Sequence, residues 1–200
     1  MRINLTRPHP WHGIATGLDV PRRVTAYIEI TPLSTVKYEV DKETGYLAVD
    51  RPQRSASLPP CAYGFLPRTY CGPRVAKLAD AEVGDGDPLD VCVLAERVLD
   101  RSDVLMRVRP VGGVRMVDKG EADDKIICVL EGDAVWGEVT DISGLPKAWV
   151  ERVEHYFSTY KLRPGENAVK LDGKYGFEGA CAVIEASILD YQEKFGTLHF

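Results

Sequence analysis

The period of the hydrophobic pattern changes late in the chain, and this change constrains the fold more than any other feature. In the earlier part, short β-branched and apolar segments alternate with Gly- and Pro-rich connections, and residues 36–41 place every second side chain on one face. Such segments predict strands. The predicted strands are residues 24–30, 36–41, 46–51, 89–94, 104–117 and 125–130. Gly45 closes a hairpin loop over 42–45, and Gly112-Gly113 marks a bulge or bend in the longest strand.

The last third of the chain has helical spacing. Pro146 suits the first turn of a helix, and the apolar positions of 149–160 then follow on one stripe. A second helix is predicted over about 179–195. Residues 52–85 are rich in Pro, Gly and Ser and predict long loops with one short strand near Tyr63. Antiparallel strands followed by two helices predict an α+β protein, for which we expect a small closed barrel with the helices packed on it.

Length and charge narrow the classes of function. The chain has 200 residues, which predicts one domain over 1–200 with its own core. Its 30 acidic and 25 basic residues give a net charge of −5, which argues against a nucleic-acid-binding surface. No apolar run reaches the ~20 residues of a membrane span, and the first ten residues lack an apolar stretch of signal-peptide type.

The five cysteines are scattered and contain no Cys-x-x-Cys pair. An odd, scattered set predicts reduced thiols in a cytoplasmic protein rather than disulfides or a thiolate zinc site. We expect no functional role for the cysteines or for the four histidines, His9, His12, His155 and His199. The segment Pro8-His-Pro-Trp-His-Gly13 is unusual in composition, but no mechanism follows from its sequence.

The densest chemical signal is Gly84-Asp-Gly-Asp-Pro-Leu-Asp90, which carries three carboxylates within six residues. Carboxylate oxygens are hard ligands suited to Mg²⁺, and bound cations relieve the repulsion among them. Residues 80–90 contain five acids and no Lys or Arg, so this segment alone carries a charge equal to that of the whole chain. A solvated acidic turn is the alternative interpretation of an isolated motif of this kind.

An EF-hand is a poor match to the same segment. Its calcium loop needs Asp or Asn at the fifth position and Gly at the sixth, where the chain has Leu89 and Asp90. A second acidic cluster lies between the last two predicted strands and comprises Asp118, Glu121, Asp123 and Asp124, followed by Lys125. Alone it would be interpreted as a polar hairpin loop, but the two clusters together offer oxygen ligands for several metal ions.

A third feature is the polar face of the predicted hairpin. Lys37, Glu39 and Asp41 share that face, and Glu29 interrupts an otherwise apolar strand. The face is either a solvent-exposed sheet surface or the lining of a polar cavity in which acids bind metals and Lys37 and Arg51 bind an anion. Alternation alone does not decide between the two.

Taken in chain order, these residues resemble the soluble (family I) inorganic pyrophosphatases over residues 26–161. The motifs that carry the resemblance are Ile28-Glu-Ile30, Lys37-Tyr-Glu39, Val49-Asp-Arg51, Cys61-Ala-Tyr-Gly64, Asp85-Gly-Asp-Pro-Leu-Asp90, Pro110-Val-Gly112, Asp118 with Asp123 and Lys125, His155-Tyr-Phe157 and Tyr160-Lys161. The Asp-Gly-Asp-Pro-x-Asp segment is the signature of that family.

The resemblance implies a five-stranded OB-like closed β-barrel with the two C-terminal helices packed on it. It implies Mg²⁺-dependent hydrolysis of pyrophosphate, bound as a metal complex, with several ions per site and with Mn²⁺ or another divalent ion as a possible substitute. The implied metal ligands are Asp85, Asp90, Asp118, Asp123, Glu29 and Glu39. The implied phosphate-binding residues are Lys37, Arg51, Tyr63, Lys125, Tyr160 and Lys161. Asp87 would be the base beside the nucleophilic water, and relatives form homo-oligomers.

Three departures from the family pattern accompany the resemblance. Leu58-Pro59-Pro60 stands where most members have an aromatic pair ending in Tyr, Lys119 follows Asp118 where many have a second acid, and an insertion lies between Tyr63 and Asp85. Two other functions remain as alternatives: a non-catalytic OB-type binding module with structural metals, and hydrolysis of nucleoside triphosphates. The acidic site argues against the first, and the lack of a Walker-type loop argues against the second.

Overall fold

The computed structural model describes residues 6–53, 58–162 and 169–196. The strands within these residues are β1 (Val24–Ile30), β2 (Val36–Val40), β3 (Leu47–Pro52), β4 (Ala62–Phe65), β5 (Val83–Gly84), β6 (Asp90–Leu94), β7 (Val104–Asp118), β8 (Glu121–Ala122), β9 (Lys125–Leu130) and β10 (Lys170–Gly176). The α-helices are α1 (Pro73–Ala79), α2 (Lys147–Thr159) and α3 (Phe177–Phe195), and a short 3₁₀ turn spans Ile142–Gly144. The α+β class predicted from the sequence is confirmed.

The strands form one mixed sheet of eight and a separate two-stranded hairpin, β2–β3. Hydrogen-bonded pairs connect β1 to β4, β4 to β6, β6 to β9, β9 to β7 and β7 back to β1. The other three strands of the eight-stranded sheet, β5, β8 and β10, lie outside this circuit of five. The expectation of purely antiparallel strands was wrong, because β6 and β9 pair in parallel.

Two apolar cores occupy opposite faces of the long central strands. Ile126 and Cys128 of β9 pack in the core that α3 covers, and Ile127 and Val129 pack in the core that α2 covers. Since both faces of β9 are buried, its sequence is a continuous apolar run rather than an alternating one. The predicted bulge is also present, as the β7–β9 register shifts between Pro110 and Gly112.

The segment between Tyr63 and Asp85 is more ordered than predicted. It contains the short helix α1, which packs against α3. The Asp190 carboxylate of α3 is fully buried and accepts hydrogen bonds from the backbone N–H groups of Arg74 and Val75 at 3.0 and 3.2 Å. It also pairs with the Arg74 guanidinium at 2.8 Å. A flanking Gly-Pro pair and only seven helical residues made this helix look like a loop in the sequence, and contacts from a distant element stabilise it.

All five cysteines are buried and carry free thiols. Across the described ranges, no helix is both long enough and apolar enough to cross a membrane. His199, one of the histidines for which no role was expected, lies outside the described residues.

Candidate active site

Most of the predicted site residues line one cavity of about 250 Å³. It lies where the β2–β3 hairpin, the acidic loop (residues 84–90), the β7–β9 connection and the end of α2 meet. Twelve of the thirteen residues predicted for the site line it: Glu29, Lys37, Glu39, Tyr63, Asp85, Asp87, Asp90, Asp118, Asp123, Lys125, Tyr160 and Lys161. Lys37 and Glu39 of the polar face of the hairpin therefore line the cavity, whereas Asp41 is exposed and is not among the lining residues described.

The acidic loop is shaped by its glycine and by its own side chains. Gly86 has φ +76°, a backbone conformation that glycine adopts without strain. The Asp87 N–H donates to Asp85 Oδ1 at 2.9 Å, and the Asp87 carbonyl accepts from the Cys71 N–H at 2.8 Å. Burial, together with the nearby Asp90 and Asp123 carboxylates, raises the pKa of Asp85 to about 8. The loop thus places several carboxylates close together on the wall of the cavity.

Lys125 is the buried cation of the site, with 1% of its side chain exposed. The parallel β6–β9 register places it directly beside Asp90. Its ammonium group donates to Asp90 Oδ2 at 2.5 Å and also pairs with Asp123. Burial opposes the charged ammonium, but the two carboxylates outweigh burial and hold the pKa of Lys125 well above its usual value. Burial also raises the pKa of Asp123, although Lys125 opposes that effect.

Two tyrosines present hydroxyl groups beside these charges. The Tyr63 hydroxyl donates to Asp90 Oδ2 at 2.5 Å, and its ring packs 5.6 Å from that of Phe157 in α2. Tyr160, which caps the C-terminus of α2, is buried at 8% exposure. Burial raises the pKa of both phenols, so both remain neutral hydrogen-bond donors at neutral pH.

Lys161 follows Tyr160, the C-cap of α2, and contacts the second acidic cluster. Its ammonium group lies 2.8 Å from Asp118 Oδ2 and 3.7 Å from Asp123 Oδ2. Burial disfavours its charge, but Tyr160 and Asp118 raise the pKa of Lys161 above its usual value. Asp118, Asp123 and Lys161 are thus held together by the end of a helix and by the β7–β9 connection.

The hairpin contributes the remaining predicted residues. Lys37 pairs with Glu39 and lies 3.0 Å from Asp50 Oδ2, and burial lowers the pKa of its ammonium group. Arg51 is opposite Lys37 in the β2–β3 register and pairs with Asp50. Arg51 is the one predicted residue that does not line the cavity among the residues that the structure describes.

Glu29 lies in β1 and connects that strand to the β2–β3 hairpin. Its carboxylate is buried at 7% exposure and accepts a hydrogen bond from the Val40 N–H at 2.6 Å. Burial raises the pKa of Glu29 to about 8. A buried carboxylate with so high a pKa lacks a full counter-charge in this structure.

The composition of the cavity fits hard divalent cations. Eight carboxylates and four lysines line it, so negative charge is in excess and the potential ligands are oxygens. Within the described part of the chain, no three His, Cys, Asp or Glu side chains are already gathered as a metal-ligand group. Mg²⁺ does not require such a group, because it keeps several waters and binds through one or two carboxylates.

Comparison with known proteins decides the family. A family model described as inorganic pyrophosphatase matches residues 26–192. The chain belongs to the inorganic pyrophosphatase family. It is 46% identical to the inorganic pyrophosphatase of Chlamydia caviae, over 96% of this chain and 94% of the relative. It is 38% identical to soluble inorganic pyrophosphatase 2 of Chlamydomonas reinhardtii, over 95% of this chain and 92% of the relative.

Solved structures agree. The inorganic pyrophosphatase of Thermus thermophilus superposes with a TM-score of 0.79 at 31% identity, over 93% of this chain and 99% of that one. That of Helicobacter pylori gives 0.74 at 34% identity, over 86% and 94%. The activity of the chain is accordingly pyrophosphate hydrolysis, and pyrophosphatases generally use a divalent metal.

Six lining residues of this pyrophosphatase were not predicted as site residues, and three of them carry polar side-chain groups: Trp11, Lys42 and Glu121. Glu121 belongs to the second acidic cluster, which could have identified it. Lys42 lies in a hairpin turn that looks solvated in the sequence, and its ammonium group pairs with Asp87, 45 residues away. Trp11 precedes the region that the family model matches. No local pattern signals either of these long-range placements.

The three departures from the pyrophosphatase pattern lie at different distances from the main cavity. Pro59 lines a small second cavity together with Lys37, Tyr63 and Tyr160, so it lies against the phosphate-binding residues predicted for the site. Lys119 has φ +56° in the tight turn after β7 and is not among the lining residues described for the main cavity. The insertion packs against α3 through α1, and β5 pairs with β8 beside the second acidic cluster.

Proposed function

We propose that the chain hydrolyses pyrophosphate, bound as its metal complex, with several Mg²⁺ ions held in this cavity. The observation that carries the proposal is one cavity lined by eight carboxylates and four lysines. The excess of negative charge on such a surface favours bound cations, and its ammonium groups can bind an anion. Mn²⁺ or another divalent ion would substitute.

The carboxylates divide into two groups of proposed metal ligands. Asp85, Asp90 and Asp123 would hold an activating ion, and Asp90 would contribute to a second. Asp118, Glu29 and Glu39 would serve the ions that arrive with the substrate. Bound divalent ions supply Lewis acidity, which lowers the pKa of coordinated water and offsets the charge of the polyanion. The raised pKa values of Asp85 and Glu29 support this assignment, since burial of each carboxylate outweighs the charge of the nearby Lys125 or Lys37.

The cationic and phenolic side chains would bind and orient the phosphates. The proposed contacts are Lys37, Arg51, Tyr63, Lys125, Tyr160 and Lys161. Each lysine is already paired with a carboxylate, so each is held in place before the substrate enters. Fixed donors aimed at a leaving phosphate stabilise the charge that develops on it without reorganisation. Arg51 would have to reach the substrate from behind Lys37 in the hairpin.

Asp87 is the proposed general base. Its carboxylate faces the cavity with 45% of the side chain exposed, and it lies between the proposed ligands Asp85 and Asp90. A carboxylate beside the nucleophilic water, rather than one saturated by buried partners, is positioned to take the proton of that water. Asp90, which already accepts from Tyr63 and Lys125, is not free in this way.

The remaining features of the proposal concern the whole chain. The circuit of pairs from β1 through β4, β6, β9 and β7 supports a closed, five-stranded OB-like barrel at the centre of the sheet. We also infer one domain over residues 1–200, assembly into a homo-oligomer and a cytoplasmic location. The five free, buried thiols support the last of these.

The role of Asp87 is tested by comparing Asp87→Asn with a matched control, Asp100→Asn, in an exposed loop. We expect Asp87→Asn to lower kcat by about 10²- to 10⁴-fold, with the affinity for Mg²⁺ in a calorimetric titration nearly unchanged. Asp100→Asn should match the parent in both measurements. An Asp87→Asn variant as active as the parent would contradict the assignment of the base.

A further inference from the structure

The N-terminal segment (residues 8–13) contacts two different parts of the active site. It precedes the region matched by the family model, yet Trp11 lines the cavity and is only 5% exposed. Two of its residues reach toward the active site: His9 contacts the β2–β3 turn (residues 41–46), and Trp11 contacts the backbone near the acidic loop. Both sets of contacts lead to Asp87 through intervening residues.

Trp11 is anchored beneath the acidic loop. Its indole N–H donates to the Thr69 carbonyl at 2.8 Å. Thr69 is fully buried, and its hydroxyl accepts from the Leu89 N–H at 2.8 Å. Two residues further along, Cys71 exchanges backbone hydrogen bonds with Gly86 and Asp87. Trp11 therefore holds the backbone of residues 69–71, which is hydrogen-bonded to the acidic loop.

His9 is anchored to the β2–β3 turn. Its Nδ1 accepts from the backbone N–H groups of Trp11 and His12 at 3.1 and 3.4 Å, which leaves the proton on Nε2 in the neutral ring. The Nε2–H then donates to the Lys42 carbonyl at 3.2 Å. The His9 imidazole thus hydrogen-bonds within the N-terminal segment through Nδ1 and to the backbone of the β2–β3 turn through Nε2.

The fit between the two turns is close. A Cβ atom on Gly45 would lie 2.9 Å from His9 Cδ2 and 2.9 Å from Pro10 Cδ, so no larger residue fits without displacement. The β2–β3 turn is also closed internally, since the Thr44 N–H donates to Asp41 Oδ1 at 2.7 Å. His9 and Pro10 therefore contact the tip of this turn, while the hydrogen bond from the Val40 N–H to Glu29 holds its base.

This turn carries Lys42, whose ammonium group pairs with Asp87 across the cavity. The two side chains are 57% and 45% exposed. An ion pair so exposed contributes about 0–1 kcal/mol, which is too little to hold two loops in register. The backbone on both sides must therefore be held by other contacts, and His9 and Trp11 supply one such contact on each side.

We infer that His9 and Trp11 are positioning residues of the active site, which act through Lys42 and the acidic loop to set the orientation of Asp87. The inference rests on the proposed function, in which Asp87 is the base. A misplacement of about 1 Å at a reacting group costs up to about 10²-fold in rate. A segment outside the matched family region thereby affects kcat without supplying a proposed metal ligand.

The test separates the two nitrogens of His9. His9→Asn keeps an acceptor near Nδ1 and loses the reach to Lys42, whereas His9→Gln places an amide N–H near Nε2 and loses the acceptor that closes residues 9–12. We expect His9→Asn to lower kcat about tenfold, with KM for Mg²⁺-pyrophosphate within about twofold and Tm nearly unchanged. His9→Gln should keep most of the turnover and melt at a lower temperature. His155→Asn, on the exposed face of α2, is the matched control and should leave kcat, KM and Tm unchanged.

A double-mutant cycle with Lys42→Met completes the test. Lys42→Met should lower kcat as His9→Asn does, and the double variant should be no worse than either single variant, because both changes break one connection. Additive losses, a rise in KM alone for Lys42→Met, or an unchanged kcat in His9→Asn would overturn the inference.

Hydrogen exchange gives a readout independent of turnover, since the amides of Thr44, Gly45 and Asp87 should exchange faster in His9→Asn than in the parent. If the parent releases no phosphate, the proposed function fails, and unchanged exchange then overturns the positioning role separately.

Discussion

At the scale of single residues, the site is organised by lysines that already hold carboxylates. Lys125 lies between Asp90 and Asp123, and Lys161 lies beside Asp118. Each lysine offsets part of the repulsion that would otherwise oppose folding of so acidic a cavity. Because the carboxylates outnumber the lysines, the cavity keeps an excess of negative charge, which in the proposed function metal ions offset.

Lys125→Met tests this balance. Removing the ammonium group leaves two inward-facing carboxylates without their partner, so we expect the metal-free protein to lose about 3–5 kcal/mol of unfolding free energy. Mg²⁺ should restore part of the loss, since it supplies a cation to the same oxygens. Chemical denaturation with and without Mg²⁺ measures both effects. Lys174→Met, which removes an exposed partner of Glu154, is the control and should change stability by less than about 1 kcal/mol. A Lys125→Met protein as stable as this control would refute the argument.

At the scale of elements, the sequence predicted what local patterns encode. β1 and β9 have the predicted bounds, and the two long helices fall within two residues of their predicted starts. The acidic loop was identified as a site because its residues are neighbours in sequence. α1, the Lys42–Asp87 pair and the placement of Trp11 at the cavity were missed, because each depends on contacts between residues far apart in the chain.

The stability of α1 illustrates this dependence and gives a test. Asp190→Ala removes the acceptor for two N–H groups in the first turn of α1 and the partner of Arg74, and we expect a loss of about 2 kcal/mol. Glu193→Ala removes the second partner of Arg74, which is 70% exposed, and should cost less than about 0.5 kcal/mol. Urea unfolding at constant m-value measures both. Equal effects of the two changes would mean that Asp190 does not cap α1.

At the scale of the whole molecule, the net charge of −5 has a different distribution from the one that the sequence indicated. Residues 80–90 contain five acids, but only three of them, Asp85, Asp87 and Asp90, line the cavity. The other five carboxylates of the cavity come from β1, β2 and the β7–β9 connection. The acidity is therefore assembled by the fold from several segments rather than by one loop.

This assembly predicts how stability depends on pH. The pKa values of Glu29 and Asp85 are raised to about 8 in the folded, metal-free protein, against about 4 for such carboxyls in the unfolded chain. Between these values the folded state binds more protons than the unfolded state, so stability falls as pH rises. The Tm of the chelator-treated protein should drop from pH 6 to pH 8.5. Saturating Mg²⁺ should reduce the drop, and Glu29→Gln should remove part of it. A metal-free Tm that rises over this range would contradict the assignment of buried, uncompensated carboxylates.

The most direct measurement is phosphate release from pyrophosphate by the purified protein, with Mg²⁺ and after its removal by a chelator. The account predicts two phosphates released per pyrophosphate in the presence of Mg²⁺, loss of release on chelation, and recovery when Mg²⁺ is added back. Pyrophosphate should also be hydrolysed faster than a nucleoside triphosphate under the same conditions. Phosphate release that is absent with Mg²⁺, or that is unchanged by its removal, would contradict the account.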